Sequence, residues 1–211
     1  LPPAELPDVP LADALRARVS CRRFLADPVG LDQLACVLRA SYGSETRSGE
    51  VMQDRPAPSG GGLYPLEATL LVRAVDGLEP GVYHYVPAAN GLEQVQAIDL
   101  PRAFLTYLFM GQPWVAEAAV ICVLSFVGAR SLTKYGDRGY RYALIEAGHT
   151  MQNLNLAAAA CGLGSVDLGG FYDDELAVLA GLDVEREIPL YCCAIGRPDA
   201  NPDDRMDVRA L

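Results

Sequence analysis

The sequence predicts an α+β fold, with a mixed and mainly antiparallel central sheet packed by helices around one long core helix. Three observations carry this. Residues 139–161 repeat Tyr140, Leu144, Ala147, Met151, Leu154, Ala158 and Cys161 at alternating spacings of four and three, which lines one face of a helix. Apolar runs at 67–75, 82–86, 92–98, 118–126 and 188–195 have strand length and are rich in β-favouring side chains. Asn90-Gly91 joins two of these runs as a tight turn, so the middle of the sheet is expected to be antiparallel.

The elements follow in order. Residues 1–10 carry four prolines and no apolar period, which suits an extended arm or linker before a single domain over 11–211. Leu11 to Val19 reads as a short helix, and Leu31, Leu34, Ala35 and Leu38 make a second that ends near Tyr42-Gly43. Ser44 to Arg55 is polar and aperiodic, the pattern of a mobile loop. Pro58-Ser59-Gly60-Gly61-Gly62-Leu63-Tyr64-Pro65 can be neither helix nor central strand, and its bare backbone can approach a ligand closely. After the first three strands, residues 103–110 read as a helix and 118–126 as a fully buried strand. At about 1.5 Å per residue the core helix would run about 35 Å, and its Ala and Gly residues invite a partner helix, including one from a second subunit. Val166 then enters a Gly-rich loop, Asp173 to Ala180 forms a short helix with acidic residues at its positive end, and Ile188 to Ile195 is the last strand before a Pro/Asp-rich tail.

Bulk properties exclude several functions. A chain of 211 residues is long enough to bury a core without external staples. Its net charge of -10, from 17 basic and 27 acidic residues, is wrong for a surface that binds nucleic acid or anionic lipid, so an anionic ligand must be held by a few placed arginines. Polar and charged residues interrupt the apolar surface of the core helix, which is therefore not a membrane span. The six cysteines form no CxxC pair and read as reduced core thiols; with no signal-peptide pattern this points to the cytoplasm. The chain does not begin with Met, which suits a domain cut from a longer protein. Glu146 and His149 have the ExxH spacing of a di-iron bundle, but no second pair exists, and no metal is expected. His84 and His149 read as packing residues.

What remains is a set of phosphate- and ring-binding devices. Arg18, Ser20 and Arg22 place two charges and a hydroxyl within five residues at the end of a helix, enough to hold one phosphate; the alternative is a solvated basic turn. In order along the chain, this segment, the glycine loop and Gly162-Leu163-Gly164-Ser165-Val166-Asp167-Leu168-Gly169-Gly170-Phe171 resemble the nitroreductase-like flavoprotein superfamily over nearly the whole length. Arg18-Val19-Ser20-Cys21-Arg22-Arg23-Phe24 is similar to its RxSxRxF signature for the FMN phosphate. Pro58, Ser59, Gly60 and Gly61 match the loop under the flavin ring, and Leu168, Gly169 and Gly170 the backbone that faces its pyrimidine edge and N5. Arg205, after the last strand, is a further candidate for the phosphate.

Within that superfamily the sequence is closer to the SagB-type, McbC-like dehydrogenases, which oxidise thiazolines and oxazolines and include oxidase domains of nonribosomal peptide synthetases. The likeness rests on Pro58 to Glu67, on Leu78-Glu-Pro-Gly-Val-Tyr-His-Tyr85, and on Lys134-Tyr-Gly-Asp-Arg-Gly-Tyr-Arg-Tyr142 followed by Glu146-Ala-Gly-His149. Gly62, Tyr64 and Gly169 stand where nitroreductases commonly carry Asn, Gln and Glu, which argues against nitroaromatic specificity. The resemblance implies bound FMN, a homodimer that builds each flavin site from two chains, an azoline on a peptide or carrier protein as substrate, membership of a larger biosynthetic complex, and Lys134 with Tyr135 as the proton-abstracting pair. Lys134 can act only as the free amine, a form favoured by burial or by Arg138 and Arg141 nearby; otherwise it caps a short helix. Two rival readings stand beside this one: an NAD(P)H-dependent nitro- or flavin reductase of the same fold, and a non-catalytic flavin-binding scaffold.

Overall fold

The computed structural model describes residues 1–3, 5–46 and 53–199. In chain order these form α1 (Leu11–Ala17), α2 (Leu31–Tyr42), the two-residue strands β1 (Glu45–Thr46) and β2 (Gln53–Asp54), β3 (Leu66–Val72), β4 (Gly81–Val86) and β5 (Gly91–Gln96). There follow α3 (Arg102–Leu108), β6 (Val120–Val127), α4 (Gly128–Tyr135), α5 (Arg138–Ala160), β7 (Gly164–Leu168), α6 (Asp173–Ala180) and β8 (Glu187–Gly196). Six strands make one sheet in the order β5-β4-β3-β6-β8-β7, every neighbouring pair antiparallel. β1 pairs with β2 at the ends of the segment expected to be a mobile loop, half of which lies outside the described residues.

The central strands β3 and β6 are buried on both faces, and that explains their continuous apolar runs. Alternate residues point to opposite sides of a strand. Leu66, Ala68, Leu70 and Val72 of β3, with Val120, Cys122, Leu124 and Phe126 of β6, pack against α2 and α5. Leu71 of β3 and Ile121 and Val123 of β6 pack on the other side with Leu105 and Leu108 of α3 and Leu176 and Leu179 of α6. Adjacent Cys192 and Cys193 divide between the two cores as their strand periodicity requires. Each fully buried Leu or Ile contributes about 1.5–3 kcal/mol by leaving water. The turn between β4 and β5 is made by Asn90 in the left-handed region (φ 44), as the Asn-Gly pair predicts.

α5 is the long core helix, but its buried stripe is turned relative to the expected one. Ala143, Glu146, Ala147, Thr150, Met151, Leu154 and Ala158 face the sheet, whereas Leu144 and Ile145 are 46% and 50% exposed and Tyr140 is exposed beside Phe126. Residues 147, 151, 154 and 158 were in phase; the first two turns were not, because Gly139 and Ala143 are the small residues that let α4 and the sheet come close. A Cβ at Gly139 would lie 2.7–3.0 Å from Ser131 atoms of α4. His149 is exposed instead of packed, and His84 makes an ion pair with Glu67.

Three boundaries also differ from expectation. The Gly-rich segment after α5 begins as an edge strand, β7, with Ser165 and Asp167 turned toward α5 and Val166 and Leu168 toward the opposite core. Its alternation was hidden by the short span and flanking glycines. The first helix stops at Ala17, and Arg18 is already extended (φ -63, ψ 108). The first long strand ends at Val72, beyond which Arg73 and Ala74 turn their N–H groups to the Ala119 carbonyl. Among the described residues no helix is long and apolar enough to cross a membrane, and no group of His, Cys, Asp and Glu could hold a metal ion. All six cysteines are free, four of them buried.

Candidate functional site

The glycine loop, which leads into β3, lies directly on Lys134 and Tyr135 at the end of α4. Gly61 has φ 67, and a Cβ built there would fall 2.4 Å from Tyr135 Oη and 2.9 Å from Lys134 Nζ, so a side chain could not be accommodated without displacing that pair. Gly60 lies against Tyr142, whose ring meets Tyr135 edge-on at 5.0 Å between centroids. Lys134 Nζ is 5.2 Å from the centre of the Tyr135 ring. Two motifs far apart in sequence are thereby one cluster.

α4 is held in this position by its other residues. Arg130, one turn before Lys134, donates to the Glu67 carboxylate and, at 3.1 Å, to the Tyr64 carbonyl at the exit of the glycine loop. Glu67 is also paired with His84 at 3.0 Å. Burial pushes the Glu67 carboxyl up, but the hydrogen bonds from His84 and Arg130 outweigh it and hold it below the ordinary carboxylate range. His84 is raised in turn by the same bond. Lys134, Arg138 and Arg141 are exposed on the single chain, and Tyr135 is half-buried.

Behind the loop stands Glu146 of α5, only 2% exposed. The Ser59 hydroxyl donates to Glu146 Oε2 at 2.5 Å and accepts the Tyr64 N–H at 2.9 Å. Arg55, half-buried just before the loop, lies between the rings of Tyr42 and Tyr64, at 4.1 and 4.9 Å from their centroids. Neither Arg55 nor Thr150 was singled out from the sequence, and Glu146 only as part of a motif. The available signal was a carboxylate in phase with Ala143, Ala147 and Thr150, on the helix face that turned out to be buried.

The phosphate candidates form a second group. Beyond α1 the chain is extended and runs beside β7: Ser20 bridges Ser165 in parallel, the Cys21 N–H donates to the Ser165 carbonyl at 3.0 Å, and buried Phe24 packs on Gly196. Alternate positions of an extended segment share a side, so Arg18, Ser20 and Arg22 belong together on an extended arm that starts at Arg18, the C-cap of α1. Ser20 and Arg22 are exposed, Arg18 is half-buried, and the Arg22 guanidinium lies 5.8 Å from the centre of the Trp114 ring. Asn155 of α5 fixes β7 from behind: its amide donates to both Asp167 carboxylate oxygens at 2.9–3.0 Å, and its carbonyl accepts the Ser165 hydroxyl at 2.7 Å. Leu168 ends β7, exposed Gly169 has open space around it, and Gly170 approaches Met110.

The two groups do not converge within one chain. Ser59 is tied to residue 146 of α5 and Ser165 to residue 155, nine residues or about 14 Å apart along the helix. β3 and β7 are likewise separated by β6 and β8, about 14 Å across the sheet. Arg205 lies outside the described residues. Two surface cavities, of about 120 and 310 Å³, lie elsewhere, beside Arg73 and Glu117 and beside Tyr85 and Asn90, and include none of these residues. The donor set nevertheless suits FMN: two guanidinium groups and a hydroxyl for one phosphate, and bare backbone at Gly60, Gly61 and Gly169 where a planar ring could lie close.

Residues 15–197 match the nitroreductase family model. The chain is 34% identical over 196 residues to MJ1384 of Methanocaldococcus jannaschii, a nitroreductase by name, covering 92% of this chain and 95% of that one. It is 33% identical over 153 residues to the microcin B17-processing protein McbC of Escherichia coli, covering 71% of this chain and 56% of McbC. Among solved structures, an Anabaena variabilis protein of nitroreductase name is 31% identical with a TM-score of 0.76, covering 89% of this chain and 38% of its own. The Escherichia coli microcin synthetase McbBCD complex with truncated pro-MccB17 bound contains a chain 28% identical with a TM-score of 0.73, covering 85% of this chain and 68% of that one. A Desulfovibrio desulfuricans protein of nitroreductase name, solved in complex with FMN, shares the fold at 22% identity and a TM-score of 0.61, covering 97% and 96% of the two chains. By its sequence over nearly its full length and by its fold, with a likeness to McbC over 71% of the chain, it belongs to the nitroreductase family.

Proposed function

We propose that this chain is an FMN-dependent dehydrogenase that converts thiazolines or oxazolines, carried on a peptide or on a carrier protein, to thiazoles or oxazoles. The observation that carries the reading is the seat of Lys134 and Tyr135 against Gly61, where a side chain would collide with both reactive groups. The likeness to McbC and to a chain of the McbBCD complex favours it, and also favours a place in a larger biosynthetic complex.

An azoline becomes aromatic by losing a proton from one ring carbon and a hydride from its neighbour. Bound FMN would supply the acceptor for that hydride. Lys134, as the free amine, takes the proton; Tyr135 Oη, on the same side of Gly61, orients the amine or passes the proton on. Arg18, Ser20 and Arg22 hold the phosphate, Pro58 to Gly61 lie under the ring, and Leu168 to Gly170 face its polar edge. These two groups are separated on one chain, and the uncovered face of α5 between them carries Leu144 and Ile145. A homodimer in which each chain completes the other's site reconciles both facts.

A second reading, an NAD(P)H-dependent nitro- or flavin reductase, draws support from the likeness to MJ1384 over 92% of the chain. Steady-state turnover separates the two. Oxidation of an azoline peptide is expected, lowered about 10²–10⁴-fold in Lys134→Ala, the usual contribution of a positioned base, with flavin content unchanged. Azoline turnover by Lys134→Ala at the parent rate would remove the base from the mechanism. Turnover with NADPH alone would support the reductase, and inactivity with both substrates a scaffold.

A further inference from the structure

The polar cluster behind the glycine loop is not used by the mechanism above. Glu146 Oε1 has no hydrogen-bond partner among the described residues, and neither have Thr150 Oγ1, one turn further along α5, nor Arg55 Nε and Nη1. Burying such atoms unpaired is costly, and a cluster built that way calls for a reason. The remaining carboxylate oxygen is engaged by Ser59, whose backbone continues directly into Gly60 and Gly61.

A hydroxyl has one proton to donate and two lone pairs to accept with. One lone pair of Ser59 Oγ is occupied by the Tyr64 N–H. While Glu146 is ionised, the Ser59 proton is committed to Oε2, and the hydroxyl can offer a ligand only its second lone pair. When Glu146 carries a proton it can donate that proton to Ser59 Oγ, which fills the second lone pair and frees the Ser59 proton to point outward. One proton on Glu146 therefore inverts what Ser59 presents.

We propose that Glu146 is a positioning residue that sets Ser59 as donor or acceptor toward a ligand lying on the Gly60–Gly61 turn, by holding or releasing a single proton exchanged with solvent. The functional consequence rests on the reading of that turn as the loop under the flavin. Burial pushes the Glu146 carboxyl up to about 7, against the opposing effects of the Ser59 hydrogen bond and the Arg55 charge, so both forms are accessible near neutral pH. The other groups that bear on the cluster are Tyr42 of α2, which burial keeps in its neutral phenol form, and, interacting with Tyr42, Glu67 of β3 and Arg130 of α4. On α5 itself Arg141 and His149 are exposed.

The test uses flavin-free protein and FMN as the probe. Infrared spectra with labelled glutamate should show a protonated carboxyl band in the parent that titrates away around neutral pH and is absent in Glu146→Gln. Across the same interval the dissociation constant for FMN should change roughly 2- to 10-fold more in the parent than in Glu146→Gln, which keeps only the titration of the FMN phosphate; that excess is the scale of one neutral hydrogen bond. Should that variant fail to fold, Ser59→Ala replaces it: the band should persist with its midpoint moved upward, because the Ser59 bond favours the ionised form, and FMN affinity should keep only the pH dependence of the FMN phosphate. A band absent at acid pH, a band unchanged from acid to alkaline pH, or a parent-like pH dependence of affinity in either variant would overturn the proposal. Failure of the parent to bind FMN at any pH would instead overturn the flavin reading, and the infrared titration would then decide the Glu146 proton alone.

Discussion

Arg22 and Glu146 show how differently two charged side chains can be tested. Arg22 is exposed, with its guanidinium 5.8 Å from the centre of the Trp114 ring, so its replacement should leave the fold alone. Arg22→Ala is expected to weaken FMN binding by about 1.5–3 kcal/mol, the range for a hydrogen bond to a charged group, measured by titrating flavin-free protein. Glu146 acts on stability. Its carboxyl is raised by burial from an ordinary 4.5 to about 7, so the folded state holds the proton more tightly than the unfolded one. The resulting stabilisation is complete below the unfolded value and is lost as pH rises through the folded one, on the order of 3 kcal/mol in all. Denaturant titrations between about pH 5 and pH 8 should show this loss in the parent and not in Glu146→Gln, while the contributions of Glu67 and His84 cancel in the comparison. Lys134, Tyr135, Ser59 and the arginines were legible in the sequence as motif members. Arg55 and Thr150 were not, since nothing local marks a polar residue whose neighbours come from other elements.

At the scale of elements, α5 organises the molecule by presenting different things on its two sides. Its buried side carries small residues, Gly139, Ala143 and Ala147, then Met151 and Leu154, and fixes both halves of the site through Glu146 and Asn155. Its open side carries Leu144 and Ile145 beside Gly148, around which an added Cβ would meet nothing within 4 Å. If the proposed homodimer packs through this side, Leu144→Glu should shift it to monomer by light scattering at micromolar concentration, with loss of flavin, since each two-chain site would lose half its residues. A parent that is monomeric with flavin fully bound would contradict the two-chain site. The existence and length of α5 were plain from its periodicity, but its rotation was not: Tyr140 and Leu144 fit the apolar period as well as Gly139 and Ala143, and only packing against α4 chooses the smaller set. β7 escaped notice for the opposite reason, since five residues opening with Gly164 and running into Gly169-Gly170 give too short an alternation to separate from a loop.

At the scale of the molecule, a sheet whose central strands are covered on both faces leaves chemistry to its margins: the loop entering β3, the corner between α4 and α5, and the end of β7. Sequence order conceals this, because residues 59, 61, 134 and 146 come together while 20 and 165 meet on another strand. The fold class, the antiparallel middle of the sheet and the motif positions could be read from apolar periods and turn residues; the division of the site into two groups required the strand order. The central claim is that an azoline, delivered to Lys134, is the substrate that reduces the bound flavin. Anaerobic rapid mixing of FMN-loaded protein with a thiazoline peptide tests it in one turnover, with the flavin absorbance followed optically and the peptide analysed by mass. Bleaching of the flavin by the peptide, with loss of two hydrogens from it and no bleaching by NADPH, is the predicted result; rapid bleaching by NADPH with the thiazoline left unchanged would contradict it.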